Sequence, residues 1–268
     1  MTRNLHQAAH AALMLDDPAA KRSAAAELQA RWAAGELLRE TAPAAVPIAI
    51  PGRPDRPLLV HPRDVPQRRL NSDAGRAALV HAIAHIEFNA INLALDAVYR
   101  FRDLPDAYYG DWLRVAAEEA SHFALLQERL AELGHAYGDL PAHNGLWEMA
   151  VKTAHDPLVR MALVPRVLEA RGLDVTPGMM ERLRQVGDKR TVAILEVILR
   201  EEIGHVAIGS RWYAWCCEQR GVDPQATFLD LLDEYMTGRL RGPFHEEARR
   251  QAGFTEAELA KLNALDSN

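Results

Sequence analysis

The chain has 268 residues, 49% of them hydrophobic and 25% charged, with 31 Lys and Arg against 37 Asp and Glu and a formal net charge of −6. That suffices for one large domain or two small ones, and the mildly acidic balance gives no broad attraction to phosphate backbones, so nucleic acid is not an expected partner. No apolar run reaches the ~18 residues of a membrane span, Met1 to Leu15 lacks the basic start and apolar stretch of a secretory signal, and the cysteines, Cys216 and Cys217, are adjacent rather than spaced as a disulfide framework.

The expected setting is the cytoplasm, with no membrane contact. Alanine, leucine, glutamate and arginine dominate and favour helix, because these side chains lose little rotamer freedom on a helical backbone. Leu5 to Glu40 reads as one or two amphipathic helices broken near Asp16-Asp17-Pro18. From Thr41 to Asn71, Pro43, Pro47, Pro51, Pro54, Pro57, Pro62 and Pro66 remove backbone donors and forbid regular helix. The expectation there is an extended surface strap whose Ile48, Ile50, Leu58, Leu59 and Val60 need somewhere to pack. Ser72 or Asp73 can cap a helix running to about Phe101, and Pro105 allows a second from Asp106 to Leu133, stopped by Gly134.

A shorter helix is expected over His143 to His155. Asp156-Pro157 opens another to about Arg171 with Gly172 behind it, and Thr176-Pro177 repeats that start signal for a short helix to about Val186. Asp188 begins a long helix to about Arg220, ended by Gly221. Pro224 to Asn268 reads as two or three short helices, with Thr255 to Glu258 a capping box. The expected class is all-α, divided into N-terminal helices and strap over 1–71, a helical bundle over 72–222, and a C-terminal helical extension over 223–268.

Two fragments carry the chemistry. Glu119-Ala-Ser-His122 and Glu202-Ile-Gly-His205 are both Glu-x-x-His, each inside an expected long helix, so each aims a carboxylate and an imidazole at one point. One such pair is usually a solvated surface pair; two on separate helices mean more. A further glutamate precedes each: Glu87 by 32 residues and Glu169 by 33. Each carboxylate interrupts an apolar face: Val80, Ile83, Ile91 and Ala94 around Glu87; Val115 and Leu126 beside Glu119 and His122; Ala162, Pro165 and Leu173 around Glu169; Leu195 and Ile198 behind Glu202.

A buried unpaired carboxylate costs about several kcal/mol, and four converging would be intolerable without cations. Two divalent ions balance four glutamates. Oxygen-rich ligation with one imidazole per ion suits iron or manganese better than zinc. The expected cofactor is therefore two iron ions, with manganese as the alternative, held by Glu87, Glu119, His122, Glu169, Glu202 and His205.

This ligand order resembles the ferritin-like di-iron carboxylate superfamily. More closely, His85-Ile-Glu87, Glu169-Ala-Arg-Gly-Leu-Asp174-Val-Thr-Pro177, Glu201-Glu-Ile-Gly-His205 and Gly242-Pro-Phe-His-Glu-Glu-Ala-Arg249 resemble a bacterial family catalogued as a ferritin-like domain of unknown function, over roughly Asn71 to Phe254. The resemblance implies a ferritin-like four-helix bundle and its metal site, and no substrate. A more distant likeness, on ligand order alone, is to the di-iron hydroxylase of modified tRNA adenosine.

The leading functional reading is an oxidase or oxygenase that activates dioxygen for a small organic substrate, with an external electron donor and an oligomeric assembly both open. The alternatives are a non-catalytic iron or manganese binding or storage protein, and a tRNA-modifying hydroxylase, which would need a basic surface. Ala94, Ala162 and Gly209 are small residues on ligand faces and could leave space for substrate. Glu118 and Glu201 are assigned to the outer face or to support of the ligands, His85 to partial exposure or a supporting hydrogen bond, and Arg171 to a pair with Asp174, a site carboxylate or the helix end. Trp212 reads as core, Cys216 and Cys217 as buried inert thiols, and Arg239, Arg241, Arg249 and Arg250 as a solvated basic surface.

Overall fold

Helix starts follow the capping residues of the sequence. Asn4, Asp17, Ser72, Asp156 and Asp188 each turn a side-chain oxygen onto a backbone N–H two or three residues on, satisfying a donor that the first turn would otherwise leave orphaned. Helix stops are equally local: Gly134 and Gly221 take the left-handed conformation, at φ 75° and 63°, just beyond two long helices. The structure is a computed structural model and describes residues 3–39, 43–65, 69–236 and 242–266. Among these residues it is helical, with two isolated β-bridges and no strand. Contacts divide the helices into two compact units, residues 1–151 and 152–268.

In the first unit, α1 (Leu5–Leu13) and α2 (Pro18–Ala33) precede the long α3 (Asp73–Arg100) and α4 (Asp106–Glu132), and α5 (Gly145–Lys152) follows. The helices α3 and α4 pack along each other, with α1 laid on α3 and α2 on α4. Val80, Ile91, Ala94 and Val98 of α3 and Leu113, Phe123 and Leu126 of α4 are wholly buried. Each large apolar side chain so buried contributes about 1.5–3 kcal/mol. Among the described residues, α3 alone is long and apolar enough to cross a membrane, but 78% of its apolar window is buried inside the structure.

Among its described residues, the proline-rich strap is irregular apart from one short 3₁₀ turn, Pro62–Asp64. Pro66 lies outside the described residues. Of the five apolar residues expected to pack, Ile48 is buried, Leu59 and Val60 are half-buried, and Ile50 and Leu58 are exposed; Pro51 and Pro57 are buried as well. Polar contacts to the strap backbone take the place of the expected apolar packing. Trp147 Nε1 donates to Ala49 O at 3.1 Å, Tyr99 Oη accepts from Val46 N at 2.8 Å, and Ala142 bonds Leu58 and Val60. Gly52 lies so close to the end of α1 that a Cβ there would sit 2.3 Å from the Met14 carbonyl carbon. Lys21, fully buried on α2, ties these pieces together: its Nζ donates to Leu13 O at 2.8 Å, to Gly52 O at 2.6 Å and to Asn92 Oδ1.

In the second unit, α6 (Pro157–Leu163) passes into a π-helix (Val164–Glu169) and then into α7 (Ala170–Gln185); all three pack on α8 (Lys189–Arg220). The sequence reading placed a helix end at Gly172 and a new start at Thr176-Pro177. Instead the helix runs through both. Burial of Leu173, Thr176, Met180 and Leu183 along α7 outweighs the ~3 kcal/mol cost of an interior proline.

The tail comprises α9 (Pro224–Met236), α10 (Glu246–Gln251) and α11 (Glu256–Asp266), with the expected capping box: Glu258 N donates to Thr255 Oγ1 and Thr255 N to Glu258 Oε2. Trp212 is core, stacked edge-on to Trp215, and Cys216 and Cys217 are buried free thiols, the former pushed up to about 11 by burial. The basic cluster departs from expectation. Arg249 is 2% exposed and donates to both oxygens of buried Asp174, at 2.9 and 2.7 Å, because α10 docks onto α7; Arg250 stays on the surface with Glu247 and Glu256. Arg239 and Arg241 lie outside the described residues.

Candidate metal centre

Within the first unit, α3 supplies Glu87 and α4 supplies Glu119 and His122, the last two one turn apart and facing α3. The three are 3%, 0% and 0% exposed, which decides against a solvated surface pair. His122 Nδ1 lies 3.1 Å from Glu87 Oε2 and 3.4 Å from Glu119 Oε2, and ligand-type atoms of all three residues fall within 4.8 Å of one another. Burial, then the Glu119 charge, holds the Glu87 carboxyl well above the usual carboxylate range. Burial works to lower the pKa of His122, but its hydrogen bonds to Glu119 and Glu87 prevail and raise it. In the metal-free state both shifts favour bound protons in the cluster.

The donor set fits a metal ion. Two donors each about 2.1 Å from one ion, at right angles, lie about 3 Å apart, close to the separations observed here. Two carboxylates and an imidazole are hard and borderline ligands suited to iron, manganese or zinc.

In the second unit, α8 brings Glu202 and His205 together, with His205 Nδ1 3.4 Å from Glu202 Oε1 and the side chains 12% and 1% exposed. Glu169 closes the π-helix that packs on α8 and is half-buried. Sequence reasoning missed that π-helix; the one local signal was Pro165, whose missing N–H cannot serve Met161 O and so opens the α-ladder there. Gly209 and Pro165 then meet closely: a Cβ on Gly209 would lie 2.3 Å from Pro165 Cβ and Cγ. The room expected beside Gly209 is filled by this ring, and Ala94 and Ala162 are likewise fully buried.

Glu118 and Glu201 are half-buried, Glu201 beside Arg200. His85 is buried rather than partly exposed, because Tyr137 of the loop after α4 covers it. Asn89 Nδ2 donates to His85 Nε2 at 3.0 Å, so neutral His85 carries its proton on Nδ1 and donates to Tyr137 Oη at 2.9 Å. Burial pushes both His85 and its neighbour His81 down to about 4. Arg171 lies 3.6 Å from Asp174 Oδ2 and also donates to the carbonyls of Gly242 and Pro243, so the Glu169-to-Asp174 and Gly242-to-Arg249 motifs form a joint between α7 and α10.

Fold and site together define an all-helical protein with a buried carboxylate–imidazole cluster able to hold a metal ion. The chain belongs to the family described as "Protein of unknown function (DUF455)", which matches residues 14–260. It is also similar to a Haemophilus influenzae protein named "Uncharacterized protein", 54% identical over 213 residues that cover 77% of this chain and 74% of that one. No solved structure matches the chain.

Proposed function

We propose that the chain is a ferritin-like di-iron oxidoreductase, an oxidase or oxygenase acting on a small organic substrate, with residues 72–222 as its metal-binding bundle. In this reading Glu87, Glu119 and His122 hold one ion, and Glu169, Glu202 and His205 hold the second. The observation that carries it is the fully buried Glu87–Glu119–His122 triad, whose motif the second unit repeats as Glu202-x-x-His205.

Bound iron would supply the binding and reduction of dioxygen. The chain's own residues do the rest. Four carboxylates offset the charge of two divalent ions, and each Glu-x-x-His pair fixes an imidazole beside its carboxylate. Burial of all three side chains between α3 and α4 keeps the first triad away from bulk water. Loading this triad displaces the protons held by Glu87 and His122, so uptake releases acid.

The test is elemental analysis of purified protein, with optical spectra before and after ferrous iron and air. About two irons per chain and a charge-transfer absorption on oxygenation would support the reading. Two manganese or zinc ions inert to oxygen would replace it with non-catalytic metal binding, and no uptake of any metal would end it.

A further inference from the structure

We infer that Arg166 is a positioning residue for Glu169, held in place by the C-terminal helices; the inference rests on the dinuclear reading above. Arg166 and Glu169 belong to the same six-residue π-helix. A π-turn persists only where its surroundings over-determine it. Slippage by one residue, back to α, would rotate every later side chain by about 100°, carrying Glu169 off its face.

The surroundings of Arg166 prevent that slippage. Its side chain is 2% exposed; Nε donates to Ser210 Oγ of α8 at 3.2 Å, and Nη2 donates to Glu258 Oε1 of α11 at 2.7 Å. Its guanidinium carbon lies 4.8, 4.3 and 4.6 Å from the ring centres of Tyr213, Phe228 and Phe254. Glu258 is itself fixed by the Thr255 capping box. A planar cation with two directed bonds and three aromatic faces specifies a rotation about the helix axis, which an apolar plug of equal volume would not. On the opposite contact, Gly209 admits Pro165 and sets the distance to α8. The extension beyond residue 223 therefore acts on the second ligand set through one arginine.

The experiment loads wild type, Arg166→Met, Arg166→Lys, Glu258→Gln and Glu202→Gln with Co²⁺, reading stoichiometry, affinity and the visible d–d spectrum, alongside hydrogen exchange over residues 164–169. Wild type should take two Co²⁺ per chain. Arg166→Met should retain helical circular dichroism and one tight ion, bind the second at least about tenfold more weakly, and show the spectrum of Glu202→Gln. Exchange over 164–169 should accelerate in it. Arg166→Lys, which keeps charge without the planar fork, should recover only part of the second site. Two ions with wild-type affinity and spectrum in Arg166→Met would reduce the arginine to packing and overturn the inference, whatever the melting temperature. Should Arg166→Met not fold, Glu258→Gln decides: a weakened second site supports the inference and an unchanged one overturns it. Wild type taking up neither Co²⁺ nor Fe²⁺ would remove the dinuclear reading and this inference together; wild-type uptake with indifferent variants removes the inference alone.

Discussion

Gly209 of α8 and Pro165 of the π-helix meet with no room for another carbon: a Cβ on Gly209 would lie 2.3 Å from two atoms of the proline ring. Both partners are rigid, one a helix backbone and the other a ring, so neither can yield by a rotamer change. Gly209→Ala should destabilise the second unit by about 1–3 kcal/mol through overpacking. Thermal unfolding would show a lower Tm, and an unchanged Tm would mean that the two helices part freely.

The ligand assignment is tested by substitution at each triad. Glu119→Ala and Glu202→Ala should each cost a metal ion and, in metal-supplemented buffer, the stabilisation that the ion confers through mass action. Metal analysis and melting in parallel provide the check. Either variant retaining two ions per chain would show that the altered glutamate is not a ligand.

Metal uptake by the first triad should strengthen as pH rises. Glu87 and His122 both have pKa values raised above their ordinary 4.5 and 6.5, so in metal-free protein both bind protons that an ion must displace. Isothermal titration in two buffers of different ionisation enthalpy should report protons released at pH 6 and fewer at higher pH. Proton-neutral binding at pH 6 would show that the metal-free cluster does not hold these protons.

Lys21 gives a pH dependence of its own. Burial pushes its ammonium down to about 7 from 10.5, with Asp16 opposing weakly, although its three acceptor oxygens match the three hydrogens of the charged form. Because the folded pKa is depressed, the unfolded chain binds more protons between those values, so the folded state gains stability as pH rises from about 7 toward 10.5. Lys21→Met should be destabilised, and its deficit against wild type should widen over that range in denaturant titrations. A deficit that stayed flat or narrowed would show that the lysine keeps its full charge in the fold.

The Arg249–Asp174 pair is buried at both ends, so removing Arg249 leaves the Asp174 carboxylate with only the longer Arg171 contact at 3.6 Å and the His245 N–H. Arg249→Met should cost about 3–5 kcal/mol, and the double substitution with Asp174→Asn should recover part of it. Equal stability of single and double variants would mean that water reaches Asp174.

Most helix boundaries were legible because their signals are local. A capping side chain, a proline at the first position or a glycine in the left-handed region acts within four residues, so Ser72, Asp188, Gly134 and Gly221 announce their helices without knowledge of the fold. The same locality misled at Gly172 and Thr176-Pro177. There the gain from burying Leu173, Met180 and Leu183 comes from α8 and overrides the stop signal.

By itself the sequence determined the all-helical class, the two Glu-x-x-His pairs, and the apolar faces that required Glu87 and Glu119 to be buried, since helical periodicity places residues three and four apart on one side. Only the tertiary structure decided that His122 sits between two carboxylates, that α6 passes into a π-helix, that Arg249 is enclosed rather than solvated, and that Arg166 is enclosed as well. Those outcomes depend on partners far away in the chain, Asp174 for Arg249 and Glu258 for Arg166. The free energy of a buried charge is set by whatever folds against it, which no local pattern records.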